Sequence, residues 1–350
     1  MSDKLRIANC NLQFAICNLQ LATCHLQLVT CNLKLPVNAF ERFSVIIPSY
    51  NSAATIRACL DSVLAQETPL PYEIIVADSS DDATPRIIRQ RYGDRVRLLR
   101  FPRRTDPGTA RNTAIAQAQG DLLLFTDADC IVPPDWAARM VQAHREQDCR
   151  IVGGAVVNGN PESLISWAGY LKEFSEYLPD ARPGFVHSLP TCNISYRREV
   201  FEEYGGYQGD YYPQEDYLFH WRLIKGGERI YFDPTIQVRH VHRATLRDYL
   251  RHSHRFGVVT SQVLKITDLP GHWFARRPWL APLFIPFLPF IKFTRTTLRT
   301  WRVNPELIRR RPLVLPLLFV GLLSWEIGFI QGVYTDHRPL TADRGGRTEG

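Results

Sequence analysis

Gly120-Asp121-Leu122-Leu123-Leu124-Phe125-Thr126-Asp127-Ala128-Asp129-Cys130 is the stretch that decides the fold. Apolar or near-apolar residues from Leu122 to Thr126 run straight into two aspartates, the pattern of a buried parallel strand ending in a polar site. In open α/β sheets, ligands collect at the carboxyl ends of the strands. Two carboxylates so close raise each other's pKa unless a cation lies between them. Hard oxygen ligands suit Mg²⁺ or Mn²⁺, which keeps part of its coordination shell for substrate phosphates. An Asp-x-Asp pair can also be nothing more than two solvated strand-end residues, so the neighbouring segments have to decide.

Upstream, Phe43-Ser44-Val45-Ile46-Ile47-Pro48 reads as a buried strand that stops at proline. Ser49-Tyr50-Asn51-Ser52 follows, with Ser52 placed to cap a helix whose apolar face is Ile56, Leu60, Val63 and Leu64. Tyr72 to Ala77 is the next buried strand and opens onto Asp78-Ser79-Ser80-Asp81-Asp82-Ala83-Thr84 before another helix. Arg95 to Leu99 reads as an edge strand, and Thr109 to Gln119 as an alanine-rich helix with Arg111 and Asn112 in its first turn. Strands alternating with helices predict a right-handed, mostly parallel sheet with a nucleotide-type ligand at the strand ends.

Five elements, in order, resemble glycosyltransferase family 2: Val45 to Asn51, Asp78 to Thr84, Ala110-Arg111-Asn112, Asp127-Ala128-Asp129, and Gln214-Glu215-Asp216. The resemblance spans residues 43–262. It implies an α/β chain of the GT-A nucleotide-binding fold, with a mostly parallel central sheet flanked by helices. Pro48, Tyr50 and Asp78 would hold the nucleoside of a nucleoside-diphosphate-sugar donor; Ala77 stands where family members often carry a first acid. Asp129 would bind a Mg²⁺ or Mn²⁺ ion bridging the donor phosphates, with Asp127 supporting it or touching the ribose. Arg111 would add a second positive charge for the same phosphates. Asp216, at a helix start where an anion is favoured, would be the general base of an inverting transfer.

Arg229 to Asp233 and Ile236 to His242 read as a short strand pair. By the same resemblance, His240 stands where some GT-A enzymes place a third metal ligand, with His242 as the alternate, and imidazole suits Mn²⁺. His252-Ser253-His254-Arg255-Phe256 departs from the Gln-x-x-Arg-Trp signature of processive synthases, which points to transfer of a single sugar. The acceptor expected is a lipid-linked or cell-envelope glycan hydroxyl. The competing reading is a catalytically silent, membrane-bound scaffold that keeps nucleotide binding.

Composition supports a sizeable core in a 350-residue chain, 45% of it hydrophobic. Residues 1–40 form a leader in which Cys-Asn-Leu-Gln-like units recur every seven residues between 8 and 35; it is expected to be dispensable or disordered. No Cys-x-x-Cys pair occurs among the eight cysteines, so neither a zinc site nor a disulfide framework is expected, and the catalytic domain, 41–262, is expected to be cytoplasmic. Residues 263–350 read as membrane-associated. Pro278 to Ile291 is apolar but broken by four prolines, and Leu313 to Tyr334 carries one charge, Glu326. The basic run from Lys292 to Arg311 suits anionic headgroups; no nucleic-acid motif accompanies it, and no nucleic-acid partner is expected. Burial of these apolar segments in the interface of a soluble dimer is the alternative.

Overall fold

A computed structural model describes residues 40–335. The seven-residue repeat of the leader and the last fifteen residues of the C-terminal region lie outside the described residues. The strands are β1 (Phe43–Ser49), β2 (Tyr72–Asp78), β3 (Arg97–Arg100), β4 (Leu122–Phe125), β5 (Cys130–Ile131), β6 (Ile151–Asn158), β7 (Gly184–Val186), β8 (Ile194–Arg197) and β9 (Ile230–His240). Helices of six or more residues are α1 (Ile56–Leu64), α2 (Thr84–Tyr92), α3 (Pro107–Gln117), α4 (Trp136–Gln147), α5 (Leu164–Phe174), α6 (Glu199–Tyr204), α7 (Glu215–Lys225), α8 (Leu246–Ile266), α9 (Leu288–Val303) and α10 (Val314–Tyr334).

The strands join in one sheet ordered β3-β2-β1-β4-β8-β6-β9-β5, with β7 added on β9. β1 and β4 are buried along their whole length, as near-continuous apolar runs require when helices cover both faces. The expected parallel arrangement holds for β3, β2, β1 and β4. Beyond β4 the sheet is mixed, because β8 enters antiparallel to both β4 and β6. That mixed half carries the second part of the site.

Two local expectations are corrected. Residues 230–240 are one continuous strand rather than a strand pair: both halves of β9 run parallel to β6, and Pro234 to Ile236 are absorbed as a bulge where the register steps from Gly154↔Asp233 to Ala155↔Gln237. Ser52 closes the turn before α1 through its backbone carbonyl, which accepts from Thr55 N and Ile56 N at 3.0 and 2.8 Å, while its hydroxyl turns back toward Tyr50 O. The apolar face expected of α1 is present, with Cys59 completing it.

Phe40, the first described residue, is buried and joins the main core, edge-on to His144 and beneath the Arg197 guanidinium. The boundary expected at residue 262 falls inside α8, and from Phe40 onward the chain is one compact unit. α10 lies along α8 at backbone distance. A Cβ on Gly257 would sit 1.9 Å from Trp325 O, and one on Gly328 would sit 1.9 Å from His254 O.

Candidate active site

At the carboxyl ends of β1 and β4, a cavity of about 840 Å³ opens between the sheet, α7 and the C-terminal helices. Pro48, Tyr50, Arg111, Asp127, Asp129, Asp216 and His240 all line it. Seven of the eight expected site residues, drawn from parts of the chain up to 192 residues apart, therefore face one space.

The metal-type cluster arises from strand pairing. Cys130 on β5 is registered antiparallel to His240 on β9, and Val241 N donates to Asp129 O at 2.9 Å. This sets His240 Nε2 3.5 Å from Asp129 Oδ1, and Asp129, Cys130 and His240 each bring one ligand atom within 4.8 Å of the others. Burial, reinforced by Cys192 and the nearby aspartates, pushes the Cys130 thiol well up, and a hard divalent cation prefers the carboxylate oxygen and imidazole beside it. Burial and Asp127 raise the Asp129 carboxyl, with His240 opposing. An unneutralised carboxylate facing an imidazole in an open cavity fits a divalent cation, and the mixed oxygen and nitrogen set accepts Mn²⁺ more readily than Mg²⁺. His242 is not one of these three, although its ring packs 4.4 Å from that of His240: it is buried against Tyr170 and Phe174, and its backbone is clasped from both sides by the Asn160 amide.

Arg111 is only 3% exposed, and both arms of its fork are taken. One nitrogen donates to Asp127 Oδ1 at 2.7 Å and the other to Glu215 Oε1 at 3.0 Å. The pair of carboxylates holds its pKa above the usual arginine value. Arg111 thereby braces the β4 turn against α7, while its Nε, buried without a hydrogen-bond partner among the described residues, and its place on the cavity wall leave the expected phosphate contact geometrically open. A different cation is free: Arg243 lines the cavity, half-buried, with no ion pair or side-chain hydrogen bond among the described residues, close enough to Asp129 to bias its ionisation. No motif marked Arg243 in the sequence; only the strand β9 that delivers it could have done so.

Asp78 departs from expectation. It is fully buried beneath the cavity rather than on its wall, paired with Arg100 from the edge strand β3 and accepting from the Ser80 hydroxyl. Ser80 in turn accepts from Asn51 N at 2.7 Å, so Asp78 fixes the loop that carries Tyr50. The Tyr50 ring faces the cavity with the Arg104 guanidinium 4.6 Å from its centre.

On α7, neighbouring acids separate. Glu215 is buried on Arg111, and burial and Asp216 raise its pKa. Asp216 is half-buried, accepts from Tyr217 N at 2.7 Å and from the Thr191 backbone, and burial pushes its pKa up to about 6. A carboxylate at that value, ionised near neutrality and open to a cavity, can take a proton from a hydroxyl.

With this geometry the comparisons agree. The model of glycosyl transferase family 2 matches residues 44–205. The chain carries a glycosyltransferase family 2 domain over these residues. It is 34% identical over 166 residues to the succinoglycan biosynthesis protein ExoO of Rhizobium meliloti, covering 45% of this chain and 46% of that one. It is 32% identical over 166 residues to the glycosyltransferase AglE of Haloferax volcanii, covering 46% and 54%. The chain thus spans about half the length of the curated relatives it matches. Among solved structures, it resembles the mannosyltransferase PcManGT of Pyrobaculum calidifontis, in complex with GDP-Man and Mn²⁺, at TM-score 0.55 and 20% identity, covering 84% of this chain and 88% of that one. The fold is therefore GT-A.

Proposed function

We propose that this protein is an inverting glycosyltransferase that moves a single sugar from a nucleoside diphosphate to an acceptor hydroxyl. One observation carries the reading: the Asp129 and His240 pair and the half-buried Asp216 line the same cavity. Pro48 and Tyr50 would hold the nucleoside, with Asp78 acting from below by anchoring their loop. Asp129 and His240 would hold a divalent cation, Mn²⁺ before Mg²⁺, which when bound neutralises the donor diphosphate as it departs. Arg111 would keep Asp127 and Glu215 in place, and Arg243 would meet the phosphates directly. Asp216 accepts the hydroxyl proton as the acceptor oxygen bonds to the anomeric carbon, and the bond from that carbon to the diphosphate breaks. Attack from the face opposite the leaving group inverts the configuration.

Membrane association belongs to the same proposal. Val314–Tyr334 is long and apolar enough to cross a bilayer. It is nonetheless docked at backbone distance along α8, whose Arg247, Asp248, Arg251 and Arg255 would have to enter the hydrocarbon with it. We infer that α10 lies in the interface of the cytoplasmic leaflet, presenting Leu313, Val320, Leu323 and Ile327 outward.

The test is release of nucleoside diphosphate by the purified full chain across a panel of sugar nucleotides with Mn²⁺. Turnover that vanishes in Asp216→Asn while donor binding persists is expected. Donor binding without turnover in the wild-type chain, under every donor and acceptor offered, would leave a silent nucleotide-binding scaffold instead.

A further inference from the structure

The cavity has a second end. Away from Asp129 its wall is built by α5, α8, α9 and α10, and a smaller cavity of about 170 Å³ adjoins it there. Lys172, Lys292 and Arg295 line both spaces. Two acids share this region, and each already has a basic partner: Glu173 lies 3.3 Å from both Lys172 and His252, and Glu176 is 2.6 Å from Arg299. Lys292 and Arg295 have no ion-pair partner among the described residues. Lys292 sits 4.0 Å above the Trp325 ring, and burial beside Lys172 and Arg295 lowers its pKa to about 8. Unneutralised cations crowded at one end of a partly enclosed cavity form an anion site.

The surrounding wall is apolar. Phe256, Leu264, Phe274, Leu288, Trp325 and Phe329 face the same space. Ile291 lines the cavity and is also 51% exposed, next to the outward-facing Phe287 and Phe290, so the cavity opens onto an apolar surface. A charged mouth with a greasy exit does not match a free sugar or a polar glycan chain, which would leave both features unsatisfied.

We propose that this end seats the phosphate and first isoprenoid or alkyl segment of a lipid-linked acceptor, with Lys292 and Arg295 on the phosphate and the Trp325 wall on the chain. The acceptor hydroxyl beyond the phosphate then lies toward Asp216. This names the acceptor class for the transfer proposed above and rests on that reading.

Binding is measured on the full chain by tryptophan fluorescence, without donor, using four probes: farnesyl phosphate, farnesol, inorganic phosphate, and nanodiscs containing phosphatidylglycerol. Farnesyl phosphate is expected to bind saturably, with farnesol and inorganic phosphate each weaker by about tenfold or more, since each lacks one of the two contacts. The double substitution Lys292→Ala with Arg295→Ala should lose about tenfold or more for farnesyl phosphate while keeping nucleoside diphosphate binding and thermal midpoint, and Lys292→Arg should restore most of the loss. Equal binding of farnesol would reduce the site to an apolar pocket, equal binding of inorganic phosphate to a plain anion site, and equal competition by phosphatidylglycerol to a bilayer contact; each overturns the proposal. A wild-type chain that turns over donor but does not bind farnesyl phosphate sinks this inference alone, whereas absence of turnover sinks the transferase reading.

Discussion

At the residue scale, Glu215 and Asp216 are adjacent in the chain, but only one of them is available for chemistry. Glu215 is tied to Arg111, while Asp216 has no cation on it and faces the cavity. Asp216→Asn is expected to lower kcat by roughly a thousandfold, the usual weight of a general base, with donor affinity unchanged in equilibrium binding. Its raised pKa sets the pH profile. As the proposed base Asp216 works ionised, so kcat should hold above a pH of about 6 and fall with each step below it, and the acid limb should disappear in the Asn variant. His240→Ala removes the proposed nitrogen ligand and should raise the Mn²⁺ needed for half-saturation by about tenfold or more, read from free Mn²⁺ by electron paramagnetic resonance. Sequence motifs made Asp127, Asp129 and Asp216 legible. They could not show that Asp78 would be covered by Arg100 or that Arg111 would be occupied, because the three partners, Arg100, Asp127 and Glu215, lie on other elements that only the fold brings alongside.

At the scale of elements, the decisive contact is β5 on β9. A two-residue strand would contribute little by itself, yet its register places Asp129 beside His240. The bulge after Asp233 lets one long strand keep pairing with β6 and still deliver His240 and Arg243 to the cavity, which is why a reading of two short strands found the residues but not their arrangement. Helices α8 and α10 meet through glycine at Gly257 and Gly328, where any side chain would strike a backbone carbonyl. Gly328→Ala is expected to cost about 1–3 kcal/mol as an overpacked contact, read as a lower denaturation midpoint, and to disturb the Trp325 wall without touching Asp129.

For the whole molecule, α8 to α10 complete one cavity with the GT-A sheet, so the C-terminal region is part of the site rather than an appendage. Removing residues 1–39 is expected to leave turnover and the denaturation midpoint unchanged. Phe40→Ala should cost about 3 kcal/mol, because Phe40 already belongs to the core. A carbonate wash should release the chain from membranes if α10 lies in the interface; retention in the pellet would instead show that α10 crosses the bilayer.

The sequence by itself determined the alternation of strands and helices and the run of acids at strand ends, because apolar periodicity and motif spacing are local and survive without tertiary contacts. Tertiary structure alone decided which charges remained free. Whether Arg111, Arg243, Asp78 or Lys292 is available depends on which oppositely charged group the fold brings within a few ångströms. That depends on register and packing between segments far apart in the chain.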